Sequence, residues 1–426
     1  MQKDCHKPLK ILLSAYACEP GRGSEPGVGW NTAREIARHH QVWVLVANAH
    51  RDQIETELRD RPLNNLHLVY LDPFGWVFDW SNESKKLPID VHLHYYLWQI
   101  WAYFIARGLH RKINFDLVHH VTYVKYFTPS FLALLPIPFI WGPVGGGESA
   151  PKAYSQGISN KALAYELLRN LARKIGELDP FVALTARRSS LAWATTEDTA
   201  KRLSHIGAKN VKILTQVGLN TAEINTLKEC AAIDSTSLRF ISIGRLLHWK
   251  GFHLGLEAFA KANLPESVEY WIVGEGSELH FLQEIAQKLQ ITHRVKFKGK
   301  LPREQTLPEL GKSIALIHPS LYDSGGLVCL EAMAAGCPVI CLELGGPGVQ
   351  ITSDVGFKIP ARTHEQTVLD IAEVMKQIFQ DSKLQQKMGL AGQERARQHF
   401  SWESKSELMS KTYREILASS PRSSTK

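Results

Sequence analysis

The chain has 426 residues, enough for two or three domains with cores of their own, and is 44% apolar and 22% charged. A net charge of +8 and a pI near 9.0 raise nucleic acid or an anionic membrane surface as partners. The basic residues are scattered, however, and no zinc-finger, RRM or helix-turn-helix pattern occurs, so no nucleic-acid role is expected. Six cysteines (Cys5, Cys18, Cys230, Cys329, Cys337, Cys341) without CxxC spacing read as reduced, buried thiols of a cytoplasmic protein. No apolar run reaches the roughly 18 residues of a spanning helix.

Residues 9–180 alternate apolar strands with helical patterns, as a doubly wound α/β domain does. Lys10–Ala17 is the first strand. Lys7 and Lys10 before this apolar run imitate a signal peptide, but the run is short and Cys18-Glu-Pro-Gly-Arg follows at once, so a buried first strand is the expectation. A glycine-rich loop through Trp30 leads into a helix over 31–39 and a second strand over 41–47. Ligands of open α/β sheets bind beyond the carboxyl ends of strands, so Gly27 and Gly29 are candidates for backbone approach to a ligand, or serve only to turn the chain. The segment 74–104 holds ten of the 39 aromatics. There Leu93, Leu97, Ile100, Trp101 and Phe104 form a helical stripe followed by Arg107, His110, Arg111 and Lys112. A second helix carries Leu163, Leu167, Leu171 and Ile175 beside Arg169, Arg173 and Lys174. Core packing against a sheet is the expectation for both stripes, although the aromatic density argues for some contact with lipid or a large apolar acceptor.

The next strand ends at His119 and His120, and another runs into Gly145-Gly-Gly-Glu148, a loop whose bare backbone suits phosphate or sugar oxygens. A strand over 192–197, a helix over 198–206 and a strand over 211–214 follow, and the polar stretch 216–237 reads as a hinge. In Arg239-Phe-Ile-Ser-Ile-Gly-Arg-Leu-Leu-His-Trp-Lys-Gly, a strand ends at Gly244, and Arg245 and Lys250 precede a helix over 254–262. Two such cations suit a diphosphate. No GxxxxGK[ST] loop is present. After the strand Tyr270-Trp-Ile-Val comes Arg294-Val-Lys-Phe-Lys-Gly-Lys-Leu, with Gly299 and Leu301. Then His318-Pro-Ser-Leu-Tyr-Asp-Ser-Gly-Gly-Leu reads as strand, loop and helix. Asp323 stands before the glycines, and Glu331 follows after seven intervening residues, on a helix over 327–335 that Gly336 stops. Unpaired N–H groups and the positive helix end here suit an anion flanked by hydroxyls. Helices over 370–379 and 384–399 lead to a last helix from Ser401, its N-cap, to Leu417.

These motifs, in this order, resemble the retaining nucleotide-sugar glycosyltransferases of the GT-B fold, family 4 (glycosyl transferases group 1). The resemblance implies two Rossmann-like doubly wound α/β domains facing a cleft. These are residues 1–217, joined by a terminal helix at 401–418 that crosses back, and the nucleotide-sugar domain 218–400. It implies that Arg245 and Lys250 hold the donor diphosphate, that Asp323 binds the hexose and that Glu331 binds the ribose. Gly244, Gly299, Leu301, Ser324, Gly325, Gly326 and Leu327 would line the donor, and Gly27 and Gly29 would approach donor phosphate or acceptor. The usual first acid is Glu rather than Asp, and Gly325 stands where Phe is common. Relatives also carry a His in the first domain near 141–148 that this chain lacks, which leaves His119, His120 or Glu148 open for the acceptor side.

The expected reaction is transfer of a hexose from a nucleoside diphosphate sugar, UDP- or GDP-linked, to a glycan or lipid-linked acceptor in cell-envelope, exopolysaccharide or glycolipid synthesis. No cofactor or metal is expected, since no Asp-x-Asp occurs and helix dipole, Arg and Lys can carry the charge. Peripheral contact at the inner face of the plasma membrane is a further expectation. Two alternatives remain: another GT-B enzyme, such as a phosphorylase or epimerase, and a catalytically silent, membrane-associated binding subunit.

Overall fold

The computed structural model describes residues 7–72, 88–154, 160–230 and 238–419. Cys5, the aromatics Phe74, Trp76, Phe78 and Trp80, the end of the hinge stretch and most of the Ser-rich tail lie outside them. The chain folds as two compact units. The first takes its described residues from Met1–Gly147, Asn170–Gln216 and Lys405–Lys426, and the second from Glu148–Arg169 and Val217–Ser404. Residues 148–169, placed in the first domain on sequence, therefore group with the second.

In the first unit, β1 (Lys10–Ser14), α1 (Ser24–Ala37), β2 (Gln41–Ala47), α2 (Arg51–Asp60), β3 (Leu66–Leu71), α3 (Pro88–Ile113), β4 (Leu117–His120) and β5 (Phe139–Val144) are followed by α4 (Asn160–Glu177). Residues 170–177 of α4 belong to this unit. Then come α5 (Pro180–Arg188), β6 (Ser189–Ala194), α6 (Glu197–His205) and β7 (Val211–Ile213). Seven described strands form one parallel sheet in the order β3-β2-β1-β4-β5-β6-β7, with Ile11 opposite both Val42 and Leu117. Ile11, Leu12 and Leu13 are fully buried in succession, as a parallel strand covered on both faces requires. Thr196 caps α6, accepting from the Thr199 N–H at 3.2 Å, and Asp179 caps α5 ahead of Pro180.

The second unit contains α7 (Thr221–Cys230), β8 (Arg239–Ile243), α8 (Phe252–Lys261), β9 (Glu269–Val273), α9 (Leu279–Lys288), β10 (Val295–Gly299), α10 (Arg303–Gly311), β11 (Leu316–His318), α11 (Leu327–Ala334) and β12 (Val339–Leu342). It closes with α12 (Gly345–Gln350), β13 (Gly356–Ile359), α13 (His364–Gln380) and α14 (Ser382–Phe400). The described strands form a parallel sheet ordered β10-β9-β8-β11-β12-β13. Strand order reverses between β8 and β11, and that switch point is where an open α/β sheet receives ligands. The last helix, α15 (Trp402–Ser419), has Ser401 at its start accepting from Ser404 N–H at 3.1 Å. Its residues Met409, Tyr413 and Ile416 pack in the same core as Ile11 and Leu13, so this helix completes the first unit.

Three expectations change. The stretch 216–237 is not a bare hinge, because α7 buries Ile224 and Leu227 within the second unit. Gly27 and Gly29 lie inside α1 rather than in a loop. A Cβ on Gly27 would stand 2.0 Å from the Arg22 carbonyl oxygen, and one on Gly29 would stand 2.2 Å from that of Ala17. Their missing side chains are thus taken up by packing. Finally, the stripe of α3 faces the other way. Leu93, Ile100, Trp101 and Phe104 are exposed, and Tyr95, Trp98, Ala102 and Ala106 fill the core. The stripe Leu163, Leu167, Leu171 and Ile175 on α4 is exposed as well. α3 is apolar around most of its circumference, so spacing alone selects no single buried face. Among the described residues no helix is long and apolar enough to cross a membrane.

Candidate functional site

The residues singled out at 244–250 and 318–331 converge at the β8/β11 switch point of the second unit. β8 ends at Ile243, and a single 3-10 turn, His248–Lys250, carries the chain into α8. Gly251 joins turn to helix at φ +67°, and a Cβ there would stand 2.0 Å from the Pro319 carbonyl oxygen. A left-handed residue under another backbone has to be glycine. This close approach brings Lys250 to the segment that follows β11.

Asp323 is the centre of the arrangement. Its Oδ2 pairs with Lys250 Nζ and lies 3.5 Å from His318 Nε2. Its Oδ1 accepts the N–H groups of Gly325 and Gly326, each at 3.1 Å. Burial acts to raise its pKa, but His318 and Lys250 outweigh it and hold the carboxyl well below the usual carboxylate range. A carboxylate offers about four lone-pair sites, so these protein donors fill most of what Asp323 has. It therefore fixes the glycine loop and Lys250 as a unit. Burial also lowers the His318 pKa, with Asp323 opposing and Lys250 reinforcing.

The loop is held from a second side. Gly346 N–H donates to the Asp323 carbonyl at 2.7 Å, and a Cβ on Gly346 would stand 2.5 Å from the Ser324 carbonyl oxygen. Residues 345–348 open α12. Gln350 at its end donates to the Gly325 carbonyl. Leu327 then opens α11 behind Gly326 at φ +61°, which directs a positive helix end toward the loop.

Glu331, in the second turn of α11, is buried. Burial pushes its carboxyl up to about 7, against the pull of Arg303. Arg303 Nη1 lies 2.6 Å from it, while Nη2 is 3.1 Å from Glu223. Arg303 begins α10, two residues after Leu301 and four after Gly299, which ends β10 at φ +65°. The sequence reading stopped at Gly299 and Leu301 and missed Arg303. In contrast to Lys250, Arg245 is exposed, and among the described residues no hydrogen bond or ion pair engages its guanidinium.

The second contribution not foreseen comes from residues 148–169. Glu148 accepts from the Ser324 hydroxyl at 2.7 Å, and its carbonyl accepts from Arg169 at 2.7 Å. Glu166 accepts from Tyr322 and lies 3.1 Å from His248 Nε2. Although its burial acts in the opposite direction, Tyr322, His248 and Arg169 lower its pKa. Tyr165, Trp249 and Tyr322 stack in a column with centroids 5.4 and 5.5 Å apart, and the Arg169 guanidinium covers the Tyr322 ring at 3.9 Å. The wall beside Lys250 and Ser324 is therefore built from a segment 82–176 residues upstream of its partners.

His119 and His120 lie in the first unit and are fully committed. His119 donates Nε2–H to the Gly142 carbonyl at 2.6 Å and faces the Tyr413 hydroxyl through Nδ1 at 2.7 Å. His120 faces Ser130 and Thr122 at 2.7 and 3.0 Å. Burial lowers their pKa values to about 3 and about 4, opposed in each case by a backbone carbonyl. Both are buried with their ring nitrogens engaged inside the first unit, whereas Glu148 lies beside Ser324. Because folded pKa values lie below that of an unfolded histidine, stability is lost as pH falls from about 6.5. At pH 4.5 the first unit should be weaker by roughly 2 kcal/mol per histidine. Denaturant titrations at neutral and acid pH check this, and His119→Gln should remove part of the slope.

Two doubly wound parallel units of this kind in one chain define the GT-B class of fold. Comparison with known proteins agrees. Residues 223–395 match the family model of glycosyl transferases group 1, less than half of the chain and all within the second unit. Over 163 residues the chain is 29% identical to glycogen synthase of Mycobacterium tuberculosis (strain CDC 1551 / Oshkosh), covering 38% of either protein. Over 271 residues it is 27% identical to the lipopolysaccharide core biosynthesis glycosyltransferase LpsE of Rhizobium meliloti (strain 1021), covering 61% of this chain and 74% of that one. Among solved structures, sucrose-phosphate synthase from Thermosynechococcus elongatus superposes with a TM-score of 0.64 at 17% identity, covering 97% of this chain and 100% of that one.

Proposed function

We propose that the protein is a retaining hexosyltransferase of family 4, moving a hexose from a nucleoside diphosphate sugar to a glycan or lipid-linked acceptor. The observation that carries this reading is the pairing of an uncommitted Arg245 with a Lys250 held by Asp323, beside the positive end of α11. Charge that develops on a leaving diphosphate would meet preorganised cations there, which is how such a site lowers a barrier. Glu331 would take the ribose hydroxyls once Arg303 turns away. Asp323 would act on the hexose mainly by positioning Ser324 and Lys250, and Glu148 would present its carboxylate beside Ser324. The match at 223–395 and the relatives that are glycosyltransferases by name support the donor half of the assignment. The reading uses Arg245, Lys250 and the helix end in place of a metal ion.

The test is calorimetric titration of UDP, GDP and ADP in the presence of EDTA, on wild type and Arg245→Ala. One nucleotide should bind the wild type, and the variant should weaken it by about tenfold or more, the worth of a charge-assisted bond or two. If no nucleotide binds the wild type at millimolar concentration, the donor-site assignment fails.

A further inference from the structure

The first unit exposes apolar surface that its own core does not need. On α3, Leu93, Ile100, Trp101 and Phe104 point outward, with Trp101 48% and Phe104 59% exposed. Leu171, Ile175 and Leu178 at the end of α4 are 54–83% exposed. The two groups are neighbours within this unit: Tyr96 of α3 stacks edge-on against Phe131, and Phe131 against Phe181 at the start of α5, with centroids 5.6 and 5.2 Å apart. Exposed apolar side chains of this size on neighbouring elements mark a surface that something covers.

Charge says what covers it. From Leu93 to Ile113, α3 has no acidic residue. Arg107 and Arg111 follow Ile100 and Phe104 at a spacing of seven, so the cations continue the same outward row. Lys174 is exposed between Leu171 and Ile175. The acids nearest this face are engaged, Glu177 with Arg202 at 2.7 Å and Asp179 as the cap of α5. A face of Trp, Phe and Leu bordered by Arg and Lys suits the boundary of an anionic bilayer, where rings enter the headgroup layer and cations meet phosphate. A second copy of this chain suits it less, because an isologous contact would bring the same cationic border onto itself.

We propose that the outward face of α3, with the end of α4 and the start of α5, is a docking surface for an anionic lipid bilayer. This surface is distinct from the donor site and does not depend on the transferase reading.

Co-flotation of the full chain with vesicles tests it, using phosphatidylcholine alone and phosphatidylcholine mixed with phosphatidylglycerol. The wild type should float with the mixed vesicles at least about tenfold more strongly than with phosphatidylcholine alone. Trp101→Asp/Phe104→Asp should reduce that by about tenfold or more. Arg107→Glu/Arg111→Glu should abolish the preference for anionic lipid. All of these side chains are exposed, so unchanged melting temperature and unchanged nucleotide binding confirm that the variants fold and separate docking from donor binding. Wild type that floats with neither vesicle overturns the proposal, as do variants that float equally well. Sedimentation that shows a wild-type dimer split by Trp101→Asp/Phe104→Asp also overturns it and assigns the face to a second copy.

Discussion

On the proposed reading, Lys250→Ala is expected to lower glycosyl transfer by roughly 10³-fold and to destabilise the second unit as well. The catalytic part follows from removing one preorganised charge aimed at the leaving group, which costs about 10²–10³ in rate for a single such group. The structural part follows from Asp323. Its partner gone, a largely buried carboxylate keeps only His318 and two amides. Removing one member of a buried pair costs about 3–5 kcal/mol, and the remaining donors put the expectation at the lower end. For a unit of this size about 3 kcal/mol corresponds to a melting shift of roughly 6–12 °C. Lys250 also depresses the His318 pKa, so that histidine should titrate higher in the variant. Rates under single-turnover conditions, with thermal melts and an NMR titration of His318, check all three. A variant that kept more than a tenth of the wild-type rate would remove Lys250 from the mechanism.

The second large effect concerns Glu331 and pH. Burial holds its carboxyl near 7, so at pH 6 most molecules carry it protonated. Ribose hydroxyls need an acceptor, which the ionised form supplies. If only that form is competent, apparent affinity scales with its population and nucleotide should bind about tenfold more tightly at pH 8 than at pH 6. Glu331→Gln should bind weakly with a flat profile. Arg303→Ala should shift the profile to higher pH, because Arg303 opposes the effect of burial on Glu331. Calorimetry across this range decides, and a wild-type affinity that is flat or falls with pH contradicts the role. In the nucleotide-free protein the raised pKa carries the opposite sign from the buried histidines. Glu331 contributes stability that is present below about pH 4.5 and lost as pH rises through 7.

The parts of this site that lie close together in the sequence were legible in it. A strand ending at Gly244 with Arg245 and Lys250 next, and an Asp before paired glycines with a Glu on the following helix, are linear patterns tied to local backbone geometry. The alternation of strand and helix likewise reveals two doubly wound sheets, since parallel strands need helical crossovers. Arg303 and the segment 148–169 were not legible. They reach Glu331, Ser324 and Tyr322 from far away in the chain, and no spacing rule links Glu166 to His248. Gly27 and Gly29 look the same in sequence whether they free a loop or let a helix press on a carbonyl. α3 misled for a physical reason: apolar on both sides, it satisfies the core with one face and leaves a second of equal strength outside.

The first unit is sealed by residues from far along the chain. Tyr413 and Met409 sit in the same core as Ile11 and Leu13, and the Tyr413 hydroxyl lies 2.7 Å from His119, 294 positions earlier. The face of β1 that Met409 and Tyr413 cover is therefore completed only once residues beyond 404 are in place. The second unit has every described strand of its sheet in one continuous run, 239–359, and can close while its neighbour cannot. A chain stalled before residue 405 would expose an apolar groove along β1 and β4, a ready target for chaperones and proteases.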